Sequence, residues 1–162
     1  MRRVVITGLG IVSPNGIGRA AFSEAIVEGR SGVGPIESFD TSGLAIKIAG
    51  EVKGFDVLPY LGEHRKNAKL MSRAVEFAAG ASTLAMSDAG LEASTLDPER
   101  FGVCMGTGIT PTDVSELAGP MAKSINAEGG FDLEKFAIAR AESIFPLWLL
   151  KLLPNMAAAH IS

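Results

Sequence analysis

The chain has 162 residues, of which 47% are hydrophobic and 20% are charged, so one domain with a sizeable core is expected. The net charge of −3 argues against a general nucleic-acid binder, and the single cysteine argues against an internal disulfide framework. Neither the amino terminus nor the apolar stretch 144–153 is long enough to be a signal peptide or a membrane span. We therefore expect a soluble, cytoplasmic protein.

The first elements in chain order are a buried strand, a turn and a helix. Residues 4–7 (VVIT) are an unbroken apolar run, which predicts a central strand buried on both faces. A glycine-rich turn at Gly8 and Gly10 follows this run. The apolar spacing then predicts a helix over residues 19–28, and Gly29 stands where a helix commonly ends.

The middle of the chain predicts a strand, a long helix and a second buried strand. Residues 45–52 alternate between apolar and small or polar side chains, as in a strand. Apolar residues recur at helical spacing over residues 63–89, and Gly90 ends that pattern. Residues 101–105 (FGVCM) again form an unbroken apolar run, so we expect a second central, buried strand there.

The last third of the chain predicts helical fragments and loops over residues 110–141, followed by a short buried helix over residues 146–153. Residues 155–162 begin a further helix that has no stop signal, which indicates that the sequence is a fragment. Strands that alternate with helices indicate a layered α/β fold with a mostly parallel central sheet.

The residues alone offer no complete catalytic site. Cys104 lies inside the second apolar run, where an inert, buried thiol is the default, and no second thiol is present to help bind a metal. His160 lies in an alanine-rich helix and is interpreted as structural, whereas His64 begins a polar stretch and is expected to be solvated.

Two further patterns are open to more than one interpretation. Gly8 and Gly10 suggest a dinucleotide-binding loop, but Ser13 occupies the third glycine position and Pro14 follows it, so a structural turn is favoured. A basic cluster is either a solvated helix face, which the residues alone favour, or a docking surface for an acidic partner. The cluster consists of Arg65, Lys66, Lys69 and Arg73.

Five segments, taken together and in order, resemble the β-ketoacyl-acyl-carrier-protein synthase family of the thiolase superfamily. They are VVITGLGIVSPNG (4–16), IAGEVKGFD (48–56), SRAVEFAAGASTLAMSDAGL (72–91), FGVCMGTGI (101–109) and PLWLLKLLPNMAAAHIS (146–162). The resemblance implies the N-terminal half of a thiolase-like α/β fold.

The resemblance also implies a reaction, partners and site residues. Members of the family use a cysteine thiolate and two histidines to condense an acyl group with a decarboxylating malonyl group. The implied partners are an acyl carrier protein, the remainder of the synthase and a second subunit, with no cofactor, metal, nucleic acid or membrane. By this resemblance Ile109 lines and gates the acyl pocket, and Leu147 and Trp148 are substrate-binding residues that reach towards the pocket of the partner subunit. Lys66 and Lys69 are implied to dock the carrier protein.

The nucleophile of the family matches a position about fifteen residues beyond this sequence. Residues 1–162 are therefore predicted to be an N-terminal domain that ends before the nucleophile, and that neither folds autonomously nor catalyses condensation alone. Residues 110–141 depart from the common fatty-acid enzymes, which leaves acyl-chain length and pathway open. A non-catalytic subunit of the chain-length-factor type, which shares the fold and lacks the cysteine, remains an alternative.

Overall fold

Helix α2, Arg73–Asp88, is the longest element, and the main core is arranged around it. The computed structural model describes residues 3–108 and 113–162 of the chain. The other α-helices are α1 (Arg19–Val27), α3 (Val114–Lys123), α4 (Leu133–Ser143) and α5 (Met156–Ile161). The 3-10 helices are Leu58–Tyr60, Gly62–Leu70, Ala93–Thr95 and Trp148–Leu152.

The strands in the described residues form two small antiparallel sheets. Strand β1 (Val12–Ser13) pairs with β2 (Gly16–Ile17), and β3 (Val33–Pro35) pairs with β4 (Ile48–Gly50). The strand predicted over residues 45–52 is therefore present as β4, although it is shorter than predicted. The α/β class is confirmed as a mixture of helices and strands, but the described residues contain no parallel strand pair.

The main core lies between α2, the segment before it and α5. Val75 and Ala79 of α2 are buried in the same cluster as Phe55, and the Phe55 ring crosses the helix at Gly80. A Cβ atom on Gly80 would lie 2.5 Å from Cζ of Phe55, so the ring packs on the helix only because this position is glycine. The remaining buried members of this core are Val57, Leu61, Met71 and Ala157.

The segment that contains Gly8 and Gly10 packs directly on the backbone of α2. A Cβ atom on Gly10 would lie on the carbonyl oxygen of Ala81 and 2.5 Å from the amide nitrogen of Ala85. The amide of Leu9 also donates a hydrogen bond of 3.0 Å to the carboxylate of Asp88. These contacts agree with a structural role for the two glycines, which permit close approach to a helix.

The two segments predicted as central, buried strands are neither strands nor buried in this structure, so that prediction is wrong. In residues 4–7, the side chains of Val4, Val5 and Ile6 are 96%, 73% and 83% exposed, and Phe101 in the second segment is 46% exposed. A strand requires a neighbouring strand whose amides and carbonyls pair with its own. Within the part of the chain that the structure describes, no strand pairs with either segment.

The helix predictions are confirmed at the two ends of the chain and wrong in the middle. Helices α1 and α5 lie where they were predicted, and Gly29 follows α1 with a positive φ of 66°. The helix predicted over 63–89 is instead two elements, because the backbone is extended at Met71 and Ser72 caps a new helix. The helix predicted over 146–153 is a short 3-10 helix that is not fully buried.

Helices α3 and α4 form a hairpin that packs mainly on itself. Each helix begins at an aspartate: Asp113 accepts a hydrogen bond from the Ser115 amide, and Asp132 accepts from the amides of Glu134 and Lys135. No residue of the hairpin belongs to the main core around α2. No helix in the described residues has the length and apolar character required to cross a membrane.

Candidate functional site

The predicted docking lysines lie on one short helix. Lys66 and Lys69 are both exposed and belong to the 3-10 helix Gly62–Leu70, after its kink at His64. Residues three apart in a 3-10 helix lie directly above one another, so the two ammonium groups project from the same face. The structure therefore brings these two lysines together on an accessible surface.

Arg73 does not belong to this surface, although the predicted continuous helix placed it on the same face. It is the first residue of α2, and its guanidinium donates a hydrogen bond of 3.2 Å to the carbonyl oxygen of Phe55. It also forms an ion pair of 2.8 Å with Glu76 and lies 4.6 Å from the centroid of the Phe77 ring. Arg73 thus fastens the start of α2 to the core.

The 3-10 helix Gly62–Leu70, which carries the predicted docking lysines, lies beside the segment that contains the predicted pocket residues. The ammonium of Lys69 lies 5.8 Å from the centroid of the Phe145 ring, within the range of a cation–π contact. Phe145 precedes Leu147 by two residues and Trp148 by three. Lys69 and the predicted pocket segment are therefore neighbours in space, as a shared site requires.

The predicted pocket residues differ in their surroundings. Leu147 is 50% exposed, whereas Trp148 is partly buried, with the guanidinium of Arg140 lying 5.8 Å from its ring centroid. The indole Nε1 of Trp148 is buried and has no hydrogen-bond partner among the described residues. Ile109, the third predicted pocket residue, lies outside the described residues. Leu147 and Trp148 are consecutive residues, of which Trp148 is the more buried.

Cys104 is exposed and lies outside any strand, so the prediction that it is buried is wrong. No hydrogen bond in the described residues joins its thiol to a histidine that could act as a base. No group of three or more potential metal ligands comes together in residues 3–108 and 113–162.

The two histidines lie in different surroundings. His64 is exposed at the kink of its 3-10 helix, as expected. His160 lies in α5, and burial lowers the pKa of its imidazole, which favours the neutral form. Its Nε2 atom is buried without a hydrogen-bond partner in the described residues. A neutral imidazole with no charged partner agrees with a structural role.

A charged cavity that the sequence interpretation missed lies where α2, α3 and the Trp148–Leu152 helix meet. It has a volume of about 320 Å³. One of its walls contains Lys151, which forms an ion pair with Glu116. Lys151 stands inside the apolar stretch 144–153, and a partly buried lysine predicts an acidic partner. The other lining residues are Met71, Ser72, Arg73, Glu76, Asp113 and Leu152.

A family model described as the N-terminal domain of β-ketoacyl synthase matches residues 1–162. The 3-oxoacyl-[acyl-carrier-protein] synthase 2 of Synechocystis sp. is 44% identical over 115 residues, which are 71% of this chain and 27% of that protein. The synthase 2 of Staphylococcus aureus is 29% identical over 99% of this chain and 35% of that protein. The chain thus spans about a quarter to a third of the length of these relatives.

Two solved structures resemble the fold over nearly the whole chain. The ishigamide ketosynthase/chain length factor superposes with a TM-score of 0.67 at 26% identity, over 99% of this chain and 36% of that one. A ketosynthase in complex with its type II polyketide acyl carrier protein gives a TM-score of 0.59 at 26% identity, over 99% of this chain and 34% of that one. Because the family model matches residues 1–162, the chain belongs to the β-ketoacyl synthase family.

Proposed function

We propose that this chain is the N-terminal part of a 3-oxoacyl-acyl-carrier-protein synthase that elongates acyl chains by decarboxylative condensation. The observation that carries the proposal is the match of residues 1–162 to the N-terminal domain of the family. The similarity to ketosynthase structures over 99% of the chain supports it. The reaction itself then depends on residues outside this sequence, because the chain covers only 27% of a relative such as the Synechocystis synthase.

The reaction proceeds in two steps. A cysteine thiolate outside this chain attacks the acyl thioester of the carrier protein, forms an acyl-enzyme and releases the carrier thiol. Malonyl-carrier protein then loses carbon dioxide, and the resulting carbanion attacks the acyl-enzyme carbonyl, which frees the cysteine thiolate. Two histidines, also outside this chain, stabilise the oxyanion and assist decarboxylation. No cofactor or metal enters these steps.

This chain supplies the surface that receives the carrier protein and part of the wall of the acyl pocket. Lys66 and Lys69 project together from an exposed helix face, which suits an acidic partner. Leu147 and Trp148 follow Phe145, the residue that Lys69 contacts, so that docking and acyl binding lie side by side. Ile109 is the third proposed wall residue. The proposed partners are the carrier protein, the remainder of the synthase and a second subunit.

The solved ketosynthase/chain length factor favours a second candidate function for this chain. In a chain-length-factor-type subunit the same fold lacks the nucleophile and acts as the structural partner of a ketosynthase in a heterodimer. The residue at the nucleophile position of the complete protein distinguishes the two functions. Cysteine in a small-residue turn before a helix indicates the synthase, whereas glutamine or another residue there indicates the partner subunit.

The test compares the complete protein with the 1–162 polypeptide in a condensation assay with acyl-carrier and malonyl-carrier substrates. We expect carbon–carbon bond formation with the complete protein and none with residues 1–162. Product formation by the purified 1–162 polypeptide would contradict the proposed location of the nucleophile. A complete protein that is inactive alone, but that activates a separate ketosynthase, would favour the second candidate.

A further inference from the structure

The ion pair between Glu116 and Lys151 is the most buried one in the described part of the chain. Nζ of Lys151 lies 2.5 Å from Oε1 of Glu116, and the two side chains are 21% and 27% exposed. In each of the other ion pairs that the structure describes, at least one side chain is 49% exposed or more. Removing one partner from a buried pair leaves an uncompensated charge, so such a pair constrains structure more than a surface pair does.

Lys151 belongs to the same 3-10 helix as Trp148, and the two residues are three positions apart. Side chains with this spacing lie above one another on one side of a 3-10 helix. A contact that fixes Lys151 therefore fixes the single turn of backbone that carries Trp148. The helix is otherwise only partly buried: Leu149 is 52% exposed, and Trp148 contacts the guanidinium of Arg140.

The partner of Lys151 comes from a part of the chain with few other attachments. Glu116 lies in the first turn of α3, which Asp113 caps. The Ser115 hydroxyl and amide lower the pKa of the Asp113 carboxyl, and the charge of Lys151 lowers it further. Asp113, Glu116 and Lys151 line the same cavity. The α3–α4 hairpin contributes no residue to the main core. Lys151, together with the contact between Arg140 and Trp148, thus connects the hairpin to the Trp148–Leu152 helix.

We propose that Glu116 and Lys151 form a positioning pair that holds the Trp148–Leu152 helix against α3 and thereby sets which acyl chains the synthase accepts. The second half of this inference rests on the proposed function, in which Leu147 and Trp148 line the acyl pocket. Neither Glu116 nor Lys151 touches the reacting atoms; they act through the position of Trp148.

The first measurement follows the position of Trp148 without any turnover. Trp148 is the only tryptophan of this sequence. To isolate the emission of Trp148, the fluorescence spectrum of each complete protein is recorded with and without Trp148→Phe. The second spectrum is then subtracted from the first. We expect Glu116→Gln and Lys151→Met each to shift this emission to longer wavelength, because a released helix lets water reach the indole. The charge-swapped protein Glu116→Lys with Lys151→Glu should restore the wild-type spectrum.

The second measurement follows acyl selectivity in the same variants. The ratio of kcat/KM for a long and a short saturated acyl thioester should change by about two- to tenfold in each single variant, as expected when two contacting residues are uncoupled. The charge-swapped protein should return the ratio to within about twofold of the wild type. A purely structural role would lower both values of kcat/KM together and leave the ratio unchanged.

The matched controls are Glu37→Gln and Lys53→Met, which break an ion pair whose side chains are 66% and 59% exposed. Unchanged Trp148 emission in Glu116→Gln and Lys151→Met, or an equal shift in the controls, would overturn the positioning pair. Shifted emission with an unchanged selectivity ratio would overturn the link to acyl choice and would count against Trp148 as a pocket residue. A wild-type protein without condensing activity would contradict the proposed function alone, because the emission measurement does not depend on turnover.

Discussion

Helix α2 and the segments 4–7 and 101–105 are all rich in apolar residues, yet α2 packs in the core and the two segments are largely exposed. Val75 on α2 is 3% exposed, whereas Val4 is 96% exposed, although both are valines in apolar stretches. The helix forms its backbone hydrogen bonds internally and needs only a surface on which to pack. A strand also needs an adjacent strand, so an apolar run becomes a buried strand only where the chain provides one.

The contrast shows which features of this fold depend on local sequence. Helix α1, helix α5 and the glycines that follow α1 and α2 were predicted correctly, because helical spacing and a terminal glycine are local signals. The break at Met71 was missed, although Ser72 followed by the helical pattern is a capping signal that the sequence contains. The exposure of residues 4–7 could not be predicted locally, because the burial of an apolar run as a strand depends on pairing with a distant segment.

The candidate site likewise contains some features that local sequence predicts and others that it does not. Lys66 and Lys69 could be placed on one face from their spacing, since that face is formed by a single short helix. The partner of Lys151 could not be predicted, because Glu116 lies 35 residues earlier in the chain and comes from a separate hairpin. The closeness of Lys69 and Phe145 is likewise a tertiary contact that no local pattern contains.

The largest effect is expected where residues 8–10 meet α2. Gly10→Ala in the complete protein should lower the free energy of unfolding by about 3 kcal/mol or more, because the new Cβ overlaps the helix backbone rather than a movable side chain. Gly43→Ala is the control, since no atom lies within 4 Å of a Cβ at that position. Urea unfolding measures both variants, and equal stability of the two would contradict the observed packing of residues 8–10 on α2.

The same substitution, valine to alanine, can be made in the buried helix α2 and in the exposed segment 4–7. Val75→Ala should cost about 2 kcal/mol of unfolding free energy in the complete protein, because it leaves a cavity in the core beside Phe55. Val5 is 73% exposed within a run of three exposed apolar side chains, and folded proteins seldom leave such runs in water. Because the chain covers only 27% of the Synechocystis relative, we expect residues outside it to cover Val5. Val5→Ala should then cost a similar amount.

Chemical denaturation of Val5→Ala and Val75→Ala tests whether residues 4–7 are covered or exposed in the complete protein. A cost for Val5→Ala below about 0.5 kcal/mol, the usual range for surface substitutions, would mean that the segment stays exposed in the complete protein. A cost close to that of Val75→Ala would mean that the complete protein buries residues 4–7 as well as α2. The difference in burial would then be confined to residues 1–162 taken alone.

The third prediction concerns the docking surface, where the effects are smaller because the charges are exposed. Lys66→Glu with Lys69→Glu in the complete protein should slow association with the carrier protein, each charge contributing on the order of 1 kcal/mol. The effect should shrink as salt rises, since exposed charges are screened. Turnover of small thioesters that bypass the carrier should stay near the wild-type value.

A double variant with the same change in net charge provides the control for this docking test. Lys47→Glu with Arg100→Glu reverses two exposed cations that lie outside the 3-10 helix Gly62–Leu70. It should leave carrier association within about twofold of the wild type, because these charges are not expected to face the partner. If both double variants slow association equally, overall charge rather than a docking surface accounts for the effect. If neither slows it at low salt, the two lysines form a solvated helix face.

The smallest effect is expected at Cys104. This thiol is exposed in the second apolar segment and has no histidine partner in the described residues, so nothing there would make it a nucleophile. Cys104→Ala should therefore keep kcat/KM of the complete protein within about twofold, and an acyl group trapped on the enzyme should be found on another cysteine by peptide mass spectrometry. A loss greater than about tenfold at unchanged stability would assign the thiol a role in the reaction.

The same residue also tests the comparison between α2 and the exposed segments. If residues outside this chain cover the segment 101–105, Cys104 should react with a thiol reagent slowly in the native complete protein and quickly after denaturation. Equal rates in the two states would mean that the segment remains in water, and that its apolar character has another cause than burial within the protein.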